Sequence, residues 1–177
     1  MKVTSVAWVC AALLIMLNGC SAVPIEDYAE NRPILVAETF FSGELIASGI
    51  VKDRSGRVIR YFNATIDASW EGGVGTLDEQ FVFDDGEEQT RVWTLERTAA
   101  GAYIATAGDV IGESQMKVLG NSLFMQYVLR IPYGDGTIDV NVDDRMYLVS
   151  DTVLLNESVM SKWGFHVGQI TLVIQKK

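Results

Sequence analysis

Four ionisable side chains interrupt rows of apolar residues: Arg60, Glu79, Arg91 and Asp144. Taken at every second position, Val58, Arg60, Phe62, Ala64, Ile66, Ala68 and Trp70 form one row, and Leu77, Glu79, Phe81 and Phe83 a second. Arg91, Trp93 and Leu95 form a third, Leu123, Met125, Tyr127 and Leu129 a fourth, and Val140, Val142, Asp144, Met146 and Leu148 a fifth. A period of two places each row on one face of a strand, so the four charges are expected to point inward with their apolar neighbours. Buried charge is costly unless paired, and two cations with two anions make a balanced set. In one reading Arg60 and Arg91, with Tyr127, grip the carboxylate or phosphate of a lipid-like ligand, whose tail lies among Phe62, Phe81 and Trp93. The planar guanidinium fork suits such a head group. In the other reading the two arginines neutralise Glu79 and Asp144 and the core is filled.

Other chemistry is sparse. His166 is the single imidazole, so any Ser-His-Asp arrangement would have to use it, and no Gly-x-Ser-x-Gly elbow is present. Ser161 and Lys162 are neighbours on an expected strand and face opposite sides, which rules them out as a dyad there. These features argue against an enzyme. One His and two Cys are too few for most zinc sites, and the acidic cluster Asp84, Asp85, Glu87 and Glu88 has no calcium-loop spacing, so no metal or cofactor is expected. That cluster reads as a solvated turn. Trp163 and Phe165 beside Gly164 mark a barrel mouth or a docking patch or, as is commoner for aromatics at strand ends, a plug. With 14 Lys plus Arg against 23 Asp plus Glu and a formal charge of -9, the chain lacks the basic patch that binding nucleic acid requires.

The N-terminus carries an address. Met1-Lys2 precedes an apolar run over residues 6–17, about 12 residues where a membrane-spanning helix needs roughly 20. Leu17-Asn18-Gly19-Cys20 closes it in the manner of a bacterial lipobox, in which the Cys thiol is diacylated and becomes the mature N-terminus. Residues 1–19 are therefore expected to be a lipoprotein signal peptide and residues 20–33 a lipidated N-terminus and polar tether, with Cys20 joining the protein to a membrane. Ser21, in place of the Asp that favours inner-membrane retention, points to the periplasmic face of a Gram-negative outer membrane. Cys10 leaves with the signal and Cys20 is acylated, so no disulfide supports the domain.

The elements that must position the four charges follow from the same alternation. It runs through residues 57–70, 76–83, 88–97, 121–131, 137–149 and 167–174, with Gly- or Asp-bearing turn signals at Asp53-Arg54-Ser55-Gly56, Asp84-Asp85-Gly86, Ala100-Gly101 and Gly134-Asp135-Gly136. Residues 34–41 read equally as a helical turn or two or as an opening strand. About 8–10 antiparallel strands without a long amphipathic helix predict an all-β, up-and-down, lipocalin-like barrel over residues 34–177, closed on itself so that no sheet edge is exposed.

Several ordered motifs then carry a family resemblance: Phe40-Phe41-Ser42-Gly43, Asp53-Arg54-Ser55-Gly56-Arg57, Phe83-Asp84-Asp85-Gly86, Arg91-Val92-Trp93, Asp143-Asp144-Arg145-Met146-Tyr147-Leu148, and the stretch from Asn156 to Phe165. Together they resemble the bacterial lipoprotein family called domain of unknown function 3833, across nearly the whole mature chain. The resemblance implies an envelope lipoprotein and brings no catalytic residues with it. The expectation is thus a lipid-anchored periplasmic barrel that binds or shuttles an apolar or fatty-acyl ligand. The competing expectation is a non-enzymatic structural or assembly lipoprotein with a filled core and a protein partner.

Overall fold

The computed structural model describes residues 22–177, so the expected signal peptide and Cys20 lie outside the described residues. Ten strands follow in chain order: β1 Gly43–Asp53, β2 Val58–Glu71, β3 Val74–Phe83, β4 Glu88–Arg97, β5 Tyr103–Ala107, β6 Ser114–Leu119, β7 Ser122–Tyr133, β8 Gly136–Ser150, β9 Val153–Lys162 and β10 Phe165–Lys176. Each pairs antiparallel with its sequence neighbours, and β1 pairs with β10 from Leu45↔Lys176 to Asp53↔Gly168, closing the barrel. The architecture is the expected one.

Alternation explains the strands. Along β2, Phe62, Ala64, Ile66 and Ala68 are buried while Asn63, Thr65, Asp67 and Ser69 are exposed, and a slip of one residue would reverse both sets. Turns are set by local chemistry: Asp53 Oδ1 accepts the Ser55 and Arg57 amides at 2.8 and 3.1 Å, and Gly56 supplies the left-handed φ of 85°. In β1 the inward row is Leu45, Ala47, Gly49, Val51; a Cβ on Gly49 would collide with the Phe62 ring, so glycine there makes room for a large neighbour.

One end of the barrel is closed by the chain that precedes it. Residues 34–41 resolve into a single helical turn, α1 (Ala37–Phe40), and Phe40 and Phe41 are each 3 % exposed beneath the strands. The Trp70 indole donates to the Phe41 carbonyl at 2.7 Å. The Lys176 ammonium donates to the carbonyls of Thr39, Phe40 and Ser42 at 2.9–3.0 Å, taking up acceptors that a helix end leaves open. From Ala22 onward the segment expected to be a tether packs on the barrel instead. Ile25 and Leu35 are buried, and the Tyr28 ring lies 5.6 Å from Phe124 and 5.4 Å from Tyr147 on the outer wall. Arg145 donates to the Val23 carbonyl at 3.1 Å. The physical reason is that isolated apolar residues within a polar stretch, too few to show a period, suffice to dock it once an apolar surface is offered.

Two strands are short. β5 pairs with β4 only from Trp93 to Arg97, and β6 with β7 only from Met116 to Leu119, which leaves the far halves of β4 and β7 without a strand between them. The loop after β5 fills that gap, with Ile111 donating to the Val128 carbonyl at 2.9 Å and Arg130 to the Asp109 carbonyl at 2.8 Å. This loop brings Asp109 to the barrel wall.

Candidate ligand-binding cavity

The barrel interior is not filled. A cavity of about 500 Å³ runs from Phe41 at the closed end to Val51, Ile59, Phe83, Glu87 and Pro132 at the opposite end, where the β1–β2, β3–β4 and β7–β8 hairpins turn. Its volume lies within the roughly 300–1,000 Å³ of small-molecule sites. This corrects the expectation of a filled core: small residues such as Ala47 and Ala64 face inward, and the plug does not extend past the closed end.

The eight side chains expected to hold a ligand or to pair with one another all border this cavity: Arg60, Phe62, Glu79, Phe81, Arg91, Trp93, Tyr127 and Asp144. Phe62 and Phe81 meet edge to face at 5.7 Å, as do Trp93 and Tyr127 at 5.3 Å, so the aromatic members form one apolar wall. The charges are arranged differently from either expectation. Arg91 stands directly opposite Glu79 in the β3–β4 register, yet its fork engages Asp109, Nε donating at 3.0 Å and Nη2 at 2.7 Å. Burial opposes the Arg91 charge, but the Asp109 carboxylate and the nearby Glu79 outweigh it and hold its pKa above the ordinary value. Arg60 does not pair with Glu79 or Asp144. It reaches the lip, donating to Asp85 and Glu87 at 2.9 Å, with its guanidinium 3.7 Å above the Phe83 ring. Asp85 and Glu87, expected to be a merely solvated turn, are thus half of an ion-pair network at the mouth. The Arg91 fork is taken by Asp109, whereas Arg60 bonds Asp85 and Glu87 through Nη2 alone and its buried Nε has no partner among the described residues.

The acids are the unsatisfied side. Asp144 is buried and accepts from Asn156 and, at 2.8 Å, from Ser158, both on Oδ1. Burial raises its pKa against the pull of those two bonds and of Arg91. Glu79 has no hydrogen-bond partner among the described residues. Burial pushes its pKa up to about 7, with Arg91 working against the rise and Asp144 and Asp109 adding to it. Tyr127 is raised well above the ordinary phenol range, first by burial and then by Asp144. A carboxyl poised near neutrality beside a buried phenol can hold, give or take a proton, or accept a hydrogen bond from a ligand donor.

Asp109, Asn156 and Ser158 were not legible as site residues. Asp109 lies in a loop with no alternation to read, and the polar inward residues of β9 interrupt the pattern that would have placed them. His166 is exposed on β10, away from the cavity. Trp163 and Phe165 are not a plug: Trp163 lies in the two-residue β9–β10 turn at the open end and Phe165 directly follows it, and they are 83 % and 73 % exposed, with Tyr133 on the β7–β8 hairpin at 71 %.

The family model described as a protein of unknown function, DUF3833, matches residues 14–176. The chain belongs to this family. No curated protein sequence matches the family member described here. Among solved structures, the S-type phycobiliprotein lyase CPES from Guillardia theta superposes with a TM-score of 0.58 at 10 % identity, over 81 % of this chain and 94 % of the lyase. A protein of unknown function from the DUF3598 family of Nostoc punctiforme gives 0.58 at 16 % identity, over 89 % of this chain and 53 % of that one. Such identities speak to the fold alone, which is lipocalin-like. They also overturn the expectation that the DUF3833 chain is not an enzyme: a lyase is built on this fold, and the lack of a familiar triad does not argue against catalysis in it.

Proposed function

We propose that this DUF3833 protein holds an elongated apolar small molecule inside its barrel, taken in through the hairpin end, while Cys20 anchors it by lipid to the periplasmic face of the outer membrane. The observation that carries the binding reading is the cavity of about 500 Å³, walled by Phe62, Phe81, Trp93 and Leu172 and closed at one end by Phe41. A void of this size is costly in a core that could have been filled, since lost packing destabilises in proportion to cavity volume. The anchor is supported by the lipobox-like Leu17-Asn18-Gly19-Cys20.

Filling the cavity tests the reading. Ala47 faces it from β1, and Ala47→Phe places a ring in its volume. Wild-type protein should take up a neutral fluorescent probe, N-phenyl-1-naphthylamine, with a rise in emission, and Ala47→Phe should lose that uptake while keeping the far-ultraviolet circular dichroism of the barrel. Equal uptake by a folded Ala47→Phe protein would refute an interior site.

A further inference from the structure

We infer that the cavity selects ligands whose polar group is a cation bearing N–H donors, an alkylammonium in the simplest case, over ligands ending in carboxylate or phosphate. This rests on the cavity being a ligand site, as proposed above. Its ground is the excess of carboxyls over cations around the middle of the cavity, with acceptor oxygens there left open. Both cations that border the cavity already have carboxylate partners, Arg91 in a bidentate pair with Asp109 and Arg60, through Nη2 alone, with Asp85 and Glu87 at the lip, where its Nε is left without a partner. No lysine borders it. The acceptors are open: Glu79 meets no donor among the described residues, and Asp144, 4 % exposed, receives Asn156 and Ser158 on one oxygen and nothing on the other.

Charge leads to the same result. Around the middle of the barrel stand one cation, Arg91, and three carboxyls, Glu79, Asp109 and Asp144. An entering anion would add to the excess, and the unpartnered donor Arg60 Nε stands at the lip, on a guanidinium already shared by Asp85 and Glu87. An entering ammonium would balance the excess and bring the donors that Glu79 and Asp144 lack, in a low-dielectric setting where such bonds are strong. The groups that face Glu79 are Arg91 on β4, Asp109 in the loop after β5, Tyr127 on β7 and Asp144 on β8; its β2 partner is the apolar Ile66. Titration of Glu79 therefore tunes the preference, ionisation favouring the cation and protonation relieving the anion.

The test uses residues 22–177, which hold the whole closed barrel and its plug, with neutral N-phenyl-1-naphthylamine as the bound reporter. Dodecylamine, dodecanol and dodecanoate are titrated as competitors at about pH 8 and about pH 5.5. At the higher pH dodecylamine should displace the reporter at least about tenfold more effectively than dodecanoate, the worth of one charge-assisted hydrogen bond. That ratio should shrink at the lower pH and in Glu79→Gln. In Asp109→Asn, which frees the Arg91 fork, dodecanoate should gain about tenfold. Equal or better competition by dodecanoate at pH 8, or a ratio unmoved by Glu79→Gln in a protein with wild-type circular dichroism, overturns the inference while leaving the cavity as a binding site. Failure of the reporter to bind wild-type protein overturns the binding reading and the inference with it.

Discussion

Replacing Glu79 by Gln keeps the shape of the side chain and removes its titration, so the difference in stability between the two proteins reports what ionising that one carboxyl costs the barrel. Burial carries its pKa from an ordinary 4.5 to about 7. At 1.36 kcal/mol per factor of ten in proton affinity, that is about 3 kcal/mol, an upper bound because the carboxyl borders a cavity large enough to admit water. The folded chain holds the proton more tightly than the unfolded one. Below about pH 4.5 both states are protonated and Glu79 costs nothing; as pH rises toward 7 the unfolded chain releases its proton first and stability falls; above 7 the full cost applies. Wild type and Glu79→Gln should therefore unfold in urea at similar concentrations near pH 4.5 and diverge at pH 8, the variant being more stable by up to about 3 kcal/mol. Titrations common to both proteins cancel in the difference. A constant gap from pH 4.5 to 8, or a variant less stable at pH 8, would refute the claim that Glu79 is buried without a compensating partner.

Three further perturbations probe the closed end and the anchor. Gly120 takes a φ of 57°, and a Cβ there would strike the Tyr28 carbonyl; Gly120→Ala should cost at least about 1–2 kcal/mol and expose residues 22–34 to limited proteolysis, and an unchanged cleavage pattern would show that this contact does not hold the segment. Trp70→Phe leaves the Phe41 carbonyl without its indole donor and should lower stability by about 1–3 kcal/mol in urea, whereas an unchanged midpoint would mean that water replaces the bond. Cys20→Ser should move the protein from the membrane fraction to the soluble one, and continued sedimentation with membranes would remove the lipid-anchor argument.

The inward rows of β2, β3, β4, β7 and β8 were legible because each has large apolar residues at every second position, and the structure has the same faces inward. β1 and β9 were harder for opposite reasons. In β1 the inward Gly49 is bare because the Phe62 ring needs the space, and Ala47, which faces the cavity, is small too, so the hydrophobic period is weak. In β9 the inward Asn156 and Ser158 are polar because Asp144 needs donors. In both cases a requirement from another strand erased the local signal, and strand-by-strand reading has no access to it.

The sequence by itself determined the class of fold, the side of each long strand that faces inward and hence the presence of Arg60, Glu79, Arg91 and Asp144 in the interior, since alternation is a local property of the chain. Only the tertiary structure decided what those charges do. Arg91 meets Asp109 because β5 and β6 are too short to fill the wall and a loop crosses the gap, and Arg60 meets Asp85 and Glu87 because its strand ends beside the β3–β4 lip. Partner choice depends on distance across the barrel, which a period of two does not encode. The same holds for the cavity: its volume is the space left when ten strands close at the circumference their pairing dictates, with only Phe40 and Phe41 filling one end.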